Sequence, residues 1–291
     1  MFIATVIAGG LDDGDISATA DRIREAGAAP GETRWIERGE AFDVAFTGDA
    51  AAVRQALEAV ATTHDVIVQP EAGRAKRLLI SDMDSTMITV ECIDELADYA
   101  GIKAQVAEVT ERAMRGELDF EAALDSRVAL LRDLDAAVIE QCHVERVRIM
   151  PGAKALVRTM RDHGARTLLV SGGFTLFADR VAAEIGFDRA LANTLDVANG
   201  RLAGTVARPI VGAAAKREAL LAEAEAMGIP LAATLAVGDG ANDIAMIETA
   251  GLGVAYHAKP RTAAAADARI AVGDLSALLY AQGYPRSAWS E

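Results

Sequence analysis

Only two cysteines, Cys92 and Cys142, occur among the 291 residues of this chain. They could pair with each other, but they form neither a disulfide framework nor a Cys-x-x-Cys metal motif. They read as small buried hydrophobes in a reducing compartment. Basic residues are scarce too: Lys+Arg 29 against Asp+Glu 43 leaves a formal charge of −14. That balance argues against nucleic-acid binding, which calls for a basic patch. An anionic substrate would have to meet locally concentrated positive charge, from a metal or a few placed cations. No apolar run reaches the ~18 residues of a membrane span. The N-terminal stretch lacks a basic segment and soon meets Asp12, Asp13 and Asp15, so a signal peptide is not expected and the expected location is the cytoplasm. Against these absences stand 52% apolar and 25% charged residues, the composition of a globular protein with a substantial core.

Residues 1–72 read as a small separate unit. Strands are expected at Phe2–Ile7, Arg34–Ile36, Ala41–Phe46 and Val66–Val68, with helices over Ile16–Ala26 (capped by Asp15) and Ala50–Ala61. The order is βαββαβ, a ferredoxin-like α+β arrangement. Glu71 to Lys76, polar and containing Gly73, reads as a linker. Residues 73–291 change pattern: short apolar strands alternate with Ala-rich helices, the signature of an α/β domain with a Rossmann-like parallel sheet. Its strands are expected at 77–81, 166–170, 189–192, 234–238, 252–256 and 268–272. Between about residues 90 and 150 only helical patterning occurs. An insertion of about sixty residues is too long for an ordinary connection and reads as a helical cap.

The chemistry gathers where three strands end. Asp82-Met83-Asp84-Ser85-Thr86 follows Leu78-Leu79-Ile80, placing two carboxylates at the mouth of a buried strand. Carboxylates there can hold a divalent cation and attack phosphorus, although Asp, Ser and Thr also serve as ordinary turn residues. A second strand ends in Ser171-Gly172-Gly173, whose hydroxyl and open backbone N–H groups can cradle a phosphate or simply make a turn. A third ends in Asp239-Gly240-Ala241-Asn242-Asp243, rich in oxygen ligands. Lys216, near the start of a helix beginning about Ala213, can face a phosphate as a point charge or lie solvated. Ligands of open parallel sheets bind beyond the carboxyl ends of the strands, so these segments are expected to meet.

Together, Asp82-x-Asp84-x-Thr86, Ser171, Lys216 and Gly238-Asp239-Gly240-x-Asn242-Asp243 resemble the haloacid dehalogenase superfamily of phosphatases. Glu91, Leu124-Asp125-Ser126-Arg127-Val128, Met150-Pro151-Gly152 and Ser171-Gly172-Gly173-Phe174 are similar to stretches of its phosphoserine phosphatase family, the likeness covering residues 76–285. The resemblance implies a Mg²⁺-dependent hydrolysis of O-phospho-L-serine, the last step of serine synthesis. Asp82 would be the nucleophile and Asp84 the acid and base. Asp82, the Asp84 carbonyl and Asp239 would hold Mg²⁺, with Asn242 and Asp243 orienting that set. Lys216, Ser171 and Gly172 would hold the phosphoryl group, Glu91 the substrate ammonium and Arg127 its carboxylate. Met114 and Phe120 could supply apolar walls or ordinary packing. The N-terminal unit is similar to the amino-acid-binding ACT modules of some family members, and either dimerisation into a homodimer or an effector role would suit it. Phosphohomoserine as substrate, or a non-catalytic sensor, are the alternatives.

Overall fold

The computed structural model describes residues 1–115 and 117–291, with the side chain of Met114 outside the described set; the expectation of a Met114 wall therefore falls outside it. The N-terminal unit runs β1 (Phe2–Ile7), α1 (Asp13–Glu25), β2 (Ala29–Glu37), β3 (Ala41–Thr47), α2 (Ala50–Glu58) and β4 (Asp65–Pro70). Its antiparallel sheet has the order β2-β3-β1-β4, so the two later strands flank β1, as the ferredoxin-like topology demands. Helix α1 starts earlier than the periodicity implied. Asp12, not Asp15, is its cap, accepting from the Gly14 and Asp15 N–H groups, while the Asp15 carboxylate accepts from the Asp12 N–H. The two acids form a reciprocal capping box.

The second unit is built on a six-stranded sheet. Its strands are β5 (Leu78–Ser81), β6 (Arg166–Phe174), β7 (Arg189–Asn193), β10 (Thr234–Gly238), β11 (Leu252–Tyr256) and β12 (Ala268–Ile270). The order is β12-β11-β10-β5-β6-β7, and every neighbouring pair is parallel. Leu78, Leu79 and Ile80 are all fully buried because both faces of the sheet are covered. Leu79 and Leu169 face one apolar core, Leu78, Ile80 and Leu168 the other. The covering helices are α7 (Ala153–Asp162), α8 (Thr175–Ile185), α9 (Ala213–Ala226), α10 (Ile244–Thr249), α11 (Pro260–Ala265) and α12 (Ala277–Ala281).

Between β5 and α7 lie four helices, α3 (Cys92–Tyr99), α4 (Lys103–Met114), α5 (Phe120–Leu130) and α6 (Ala137–Arg146). They form the cap. Its two stems pair as a short neck, with Ile88 opposite Ile149 and backbone bonds from Thr89 N to Arg148 O (3.0 Å) and Met150 N to Met87 O (2.9 Å). A hairpin of β8 (Leu195–Ala198) and β9 (Arg201–Val206) braces the cap, since Asp133 N donates to Leu202 O and Leu202 N to Leu134 O, each at 2.9 Å. The sequence reading missed this hairpin. Its signal is Asn199-Gly200, both at positive φ (52° and 75°), the demand of a tight type I′ turn.

Glu71 to Lys76 joins the two units, with Ala72, Gly73 and Ala75 exposed and two of its side chains, Arg74 and Lys76, buried. Arg74 is buried and grips Asp43 through two N–H groups at 2.6 and 3.2 Å, while also donating to the Ala281 and Tyr280 carbonyls. A charge buried this deeply persists only when paired and hydrogen-bonded on several sides. Across the same seam, buried Asp65 accepts from the N–H groups of Ala271, Val272 and Gly273 at 2.7–3.1 Å. Among the described residues no helix is long and apolar enough to cross a membrane.

Candidate active site

Chain order sets the position of the site. From β5 the chain moves outward through β6 and β7, then crosses back to β10 on the other side of β5. The strand order therefore reverses between β5 and β10, and that crevice is where such sheets receive ligands. Register fixes who stands there. Ser81 lies opposite Val237 on one side and Leu169 on the other, and Asp82 N donates to Val237 O at 3.0 Å. Asp82 and Asp84 after β5, Ser171 to Gly173 near the end of β6, which runs on past the expected end at residue 170, and Asp239 to Asn242 after β10 meet in one cavity of about 690 Å³ roofed by the cap. Asp82, Asp84, Glu91, Arg127, Ser171, Gly172, Asp239 and Asn242 all line it.

Lys216, from the first turn of α9, lies at the floor, 0% exposed, and donates to Asp82 Oδ1 and Asp243 Oδ1, each at 2.6 Å. Burial alone would push its ammonium down, but the Asp243 and Asp82 carboxylates outweigh that and hold it above its ordinary value. One ammonium thus serves two buried carboxylates. Gly238 makes this approach possible, because a β-carbon there would overlap the Asp243 carboxyl. Gly240 N anchors the other Asp243 oxygen at 2.9 Å.

Asp82, Asp239 and Asp243 each offer an oxygen within 4.8 Å of the others. Burial, then the Asp243 charge, pushes Asp82 well above the carboxylate range. The same two causes lift Asp239 to about 6, although Thr86 donates to it at 3.1 Å. Three acids sharing one ammonium keep excess negative charge, and their hard oxygens fit a divalent cation such as Mg²⁺ or Ca²⁺. Asp84 bonds elsewhere: its Oδ2 accepts from the Cys92 N–H at 3.3 Å, and among the described residues its buried Oδ1 has no hydrogen-bond partner. Burial lifts the Asp84 carboxyl to about 7, with the Glu91 charge adding to it. A carboxylic acid that keeps its proton near neutrality can donate it.

Glu91 heads α3 and accepts from the Ser85 hydroxyl at 2.7 Å. Arg127 comes from α5 and donates to the Ala123 carbonyl at 3.3 Å; burial pushes its guanidinium down, while Asp94, Glu91 and Asp84 oppose that. Ser171 is buried, and its hydroxyl accepts from the Gly173 N–H at 2.8 Å. Buried Asn193 steadies this loop by donating to the Gly172 carbonyl at 2.9 Å and pairing with the Val211 backbone. Nothing in the local sequence marked Asn193, which ends an ordinary strand. Phe120 reaches down from the cap to the core. A β-carbon at Gly172 or Gly212 would stand 3.1 Å from its ring, so both glycines leave it room.

Comparison with known proteins gives this geometry a lineage. Residues 76–251 match the haloacid dehalogenase-like hydrolase family. A phosphoserine phosphatase of Streptomyces coelicolor is 47% identical over 234 residues, 79% of this chain and 57% of its own length. The chain thus spans little more than half of that relative. Among solved structures, a haloacid dehalogenase family hydrolase from Salmonella enterica serovar Typhi superposes with TM-score 0.84 at 28% identity, covering 96% of this chain and 98% of its own. An unliganded probable phosphoserine phosphatase from Vibrio cholerae gives TM-score 0.77 at 33% identity, covering 99% and 87%. With a match over more than half its length, and with the carboxylates of that match gathered at the switch point of the sheet, this chain belongs to the haloacid dehalogenase-like hydrolases.

Proposed function

We propose that the protein is a Mg²⁺-dependent phosphatase that hydrolyses O-phospho-L-serine to L-serine and phosphate, the closing step of serine biosynthesis. The observation that carries this reading is the division of labour between Asp82 and Asp84. Asp82 accepts a hydrogen bond from the buried Lys216 ammonium, whereas Asp84 accepts from the Cys92 N–H and has a carboxyl lifted to about 7. Two carboxylates whose surroundings differ in this way suit a nucleophile and a general acid.

An Asp82 oxygen attacks phosphorus in line and forms an aspartyl-phosphate, while Asp84 gives its proton to the departing serine oxygen. Asp84, now ionised, takes a proton from the water that attacks the aspartyl-phosphate, which returns Asp82 and releases phosphate. Lys216 keeps the Asp82 carboxylate aimed and offsets its charge. Ser171, the Gly172 backbone and Asn242 receive the phosphoryl oxygens. Asp82, Asp239 and the Asp84 main-chain carbonyl would hold Mg²⁺, with Asp243 supporting them, and the cation would supply charge neutralisation for the phosphoryl group. The cap excludes water while serine leaves. Within the cap, Glu91 takes the ammonium of phosphoserine and Arg127 its carboxylate, a pairing that suits a planar guanidinium. The names of the relatives support this substrate. The two buried, unpaired cysteines support a cytoplasmic location. The N-terminal unit is an ACT-like module through which a homodimer would form. The direct test is phosphate release from O-phospho-L-serine with Mg²⁺ and with chelator; no release from the metal-loaded protein would overturn the assignment.

Arg127→Ala is expected to raise KM for O-phospho-L-serine about 30- to 100-fold, the loss of a charged hydrogen bond. The change should be small with phosphoethanolamine, which lacks the carboxylate. An equal loss on both substrates would remove Arg127 from carboxylate recognition.

Mg²⁺ and pH should act on stability together. The folded-state values of Asp84 (about 7) and Asp239 (about 6) are raised, so the folded chain holds these protons more tightly than the unfolded one. Their stabilising contribution is complete below the ordinary carboxylate value and is lost as pH rises through about 6 to 7. Of the two, the Asp239 carboxylate is the one that would bind the cation, in place of its proton. The rise in Tm on adding Mg²⁺ should therefore be larger at about pH 8 than at about pH 5. Equal rises at both would show that the Asp239 carboxylate does not bind it.

A further inference from the structure

The cavity is lined by more acids than bases. Five carboxylates line it against three cations, Arg127, Lys259 and Arg261. Arg127 lies among Asp94, Glu91 and Asp84, and Lys216 beneath the floor is consumed by Asp82 and Asp243. The whole chain carries −14. Even with Mg²⁺ bound in the cavity, a dianionic phosphoester approaches across a chain of net negative charge.

Lys259 and Arg261 stand apart from this balance. Both are exposed, both line the cavity, and among the described residues neither is in an ion pair. The segment Lys259 to Thr262 brings no carboxylate to the cavity. Its third lining residue, Thr262, is fully buried, with a hydroxyl oxygen that has no hydrogen-bond partner among the described residues. Position is fixed rather than accidental. Lys259 N reaches the Asp239 carbonyl at 3.4 Å, and Pro260 opens α11, so the rim is tied to the loop that carries Asp239. The segment lies on the core, not on the cap, so its charges keep their place when the cap opens.

We propose that Lys259 and Arg261 are a recruiting pair that draws the dianionic phosphoester to the cavity and raises capture without touching the reacting atoms. The proposal rests on the phosphatase reading above. Opposite charges focused at a cleft raise the association rate, and their reach is cut once the Debye length falls below the approach distance. Arg127 recognises a carboxylate at short range; the recruiting pair acts on total charge at long range.

The test is Lys259→Met/Arg261→Gln, which removes both charges and keeps bulk, assayed with Mg²⁺ at about 20 mM and about 500 mM salt, where the Debye length falls from roughly 20 Å to below 5 Å. At low salt kcat/KM should drop about three- to tenfold while kcat stays within about twofold. At high salt native and variant should converge. Charge reversal, Lys259→Glu/Arg261→Glu, should enlarge the low-salt loss and follow the same convergence. Parallel salt dependences, or a loss in kcat that persists at high salt, would overturn the recruiting role. Inorganic phosphate binding to the Mg²⁺-loaded protein, followed by calorimetry at both salts, separates the two claims. If the native chain fails to hydrolyse phosphoserine, the substrate assignment falls. The recruiting pair then stands on a phosphate affinity that loses its salt dependence in the variant, and falls if that dependence is unchanged.

Discussion

Asp82→Asn should lower phosphate release from O-phospho-L-serine by about 10⁴-fold or more while leaving the fold intact. An amide is too poor a nucleophile to form the acyl phosphate, and loss of a nucleophile cannot be shared out among neighbouring groups. The stability side follows from burial. Asp82 carries an ionisation that its surroundings disfavour, since burial and Asp243 both push its carboxyl up. Neutral Asn keeps an oxygen for the Lys216 ammonium and removes one of two carboxylates competing for it. In chelator the variant should unfold at or above the native temperature. With Mg²⁺ it should gain less than the native chain, having lost a ligand. Circular dichroism melts with and without the cation read both effects. Residual activity within about tenfold of native would assign the nucleophile elsewhere.

Lys216→Met is expected to behave differently, because it removes the ammonium that bridges two buried acids. Asp82 and Asp243 would face each other without it, and breaking a buried pair by deleting one partner costs about 3–5 kcal/mol. Activity should fall about 10³-fold, the scale for losing one preorganised charge-stabilising group. Urea unfolding in chelator at about pH 8 should show the full destabilisation, and acid, by protonating the stranded carboxylates, should return part of it. Adding Asp82→Asn to Lys216→Met should also recover stability without recovering activity. If Lys216→Met unfolds at the native urea concentration, the buried bridge is not a structural element and its hydrogen bonds carry little net energy. The contrast separates two roles that share one hydrogen bond.

The strands of the parallel sheet were legible because each is a short apolar run closed by turn chemistry, a pattern that a strand buried on both faces must have. The residues at their ends were legible for the same reason, since carboxylates after a buried strand are out of place in a core. Relations between distant segments were not legible. That Lys216 bridges Asp82 and Asp243 depends on α9 delivering one side chain under two strand ends, which no local window contains. The β8–β9 hairpin escaped because its strands are short and mixed in polarity, although Asn199-Gly200 announced the turn. Arg74 escaped because an arginine in a polar stretch ordinarily lies in water, and only the closed tertiary structure reveals Asp43 waiting for it. Lys259 and Arg261 look like any surface charges until the cavity beside them is counted.

The Arg74–Asp43 bond bears on ancestry as well as on stability. A module that joins a catalytic domain through a loose tether can be gained, lost or exchanged without altering its host. Here the host supplies carbonyls from α12 and the module an acid from β3, while the segment between them supplies the cation that needs both. Deleting residues 1–72 would strand a buried guanidinium, and grafting a foreign module would do the same unless it carried an acid at the position of Asp43 and another at that of Asp65. A change of Asp43 or Arg74 alone would leave its partner buried without a counter-charge, so tolerated substitutions at this seam are expected in matched pairs.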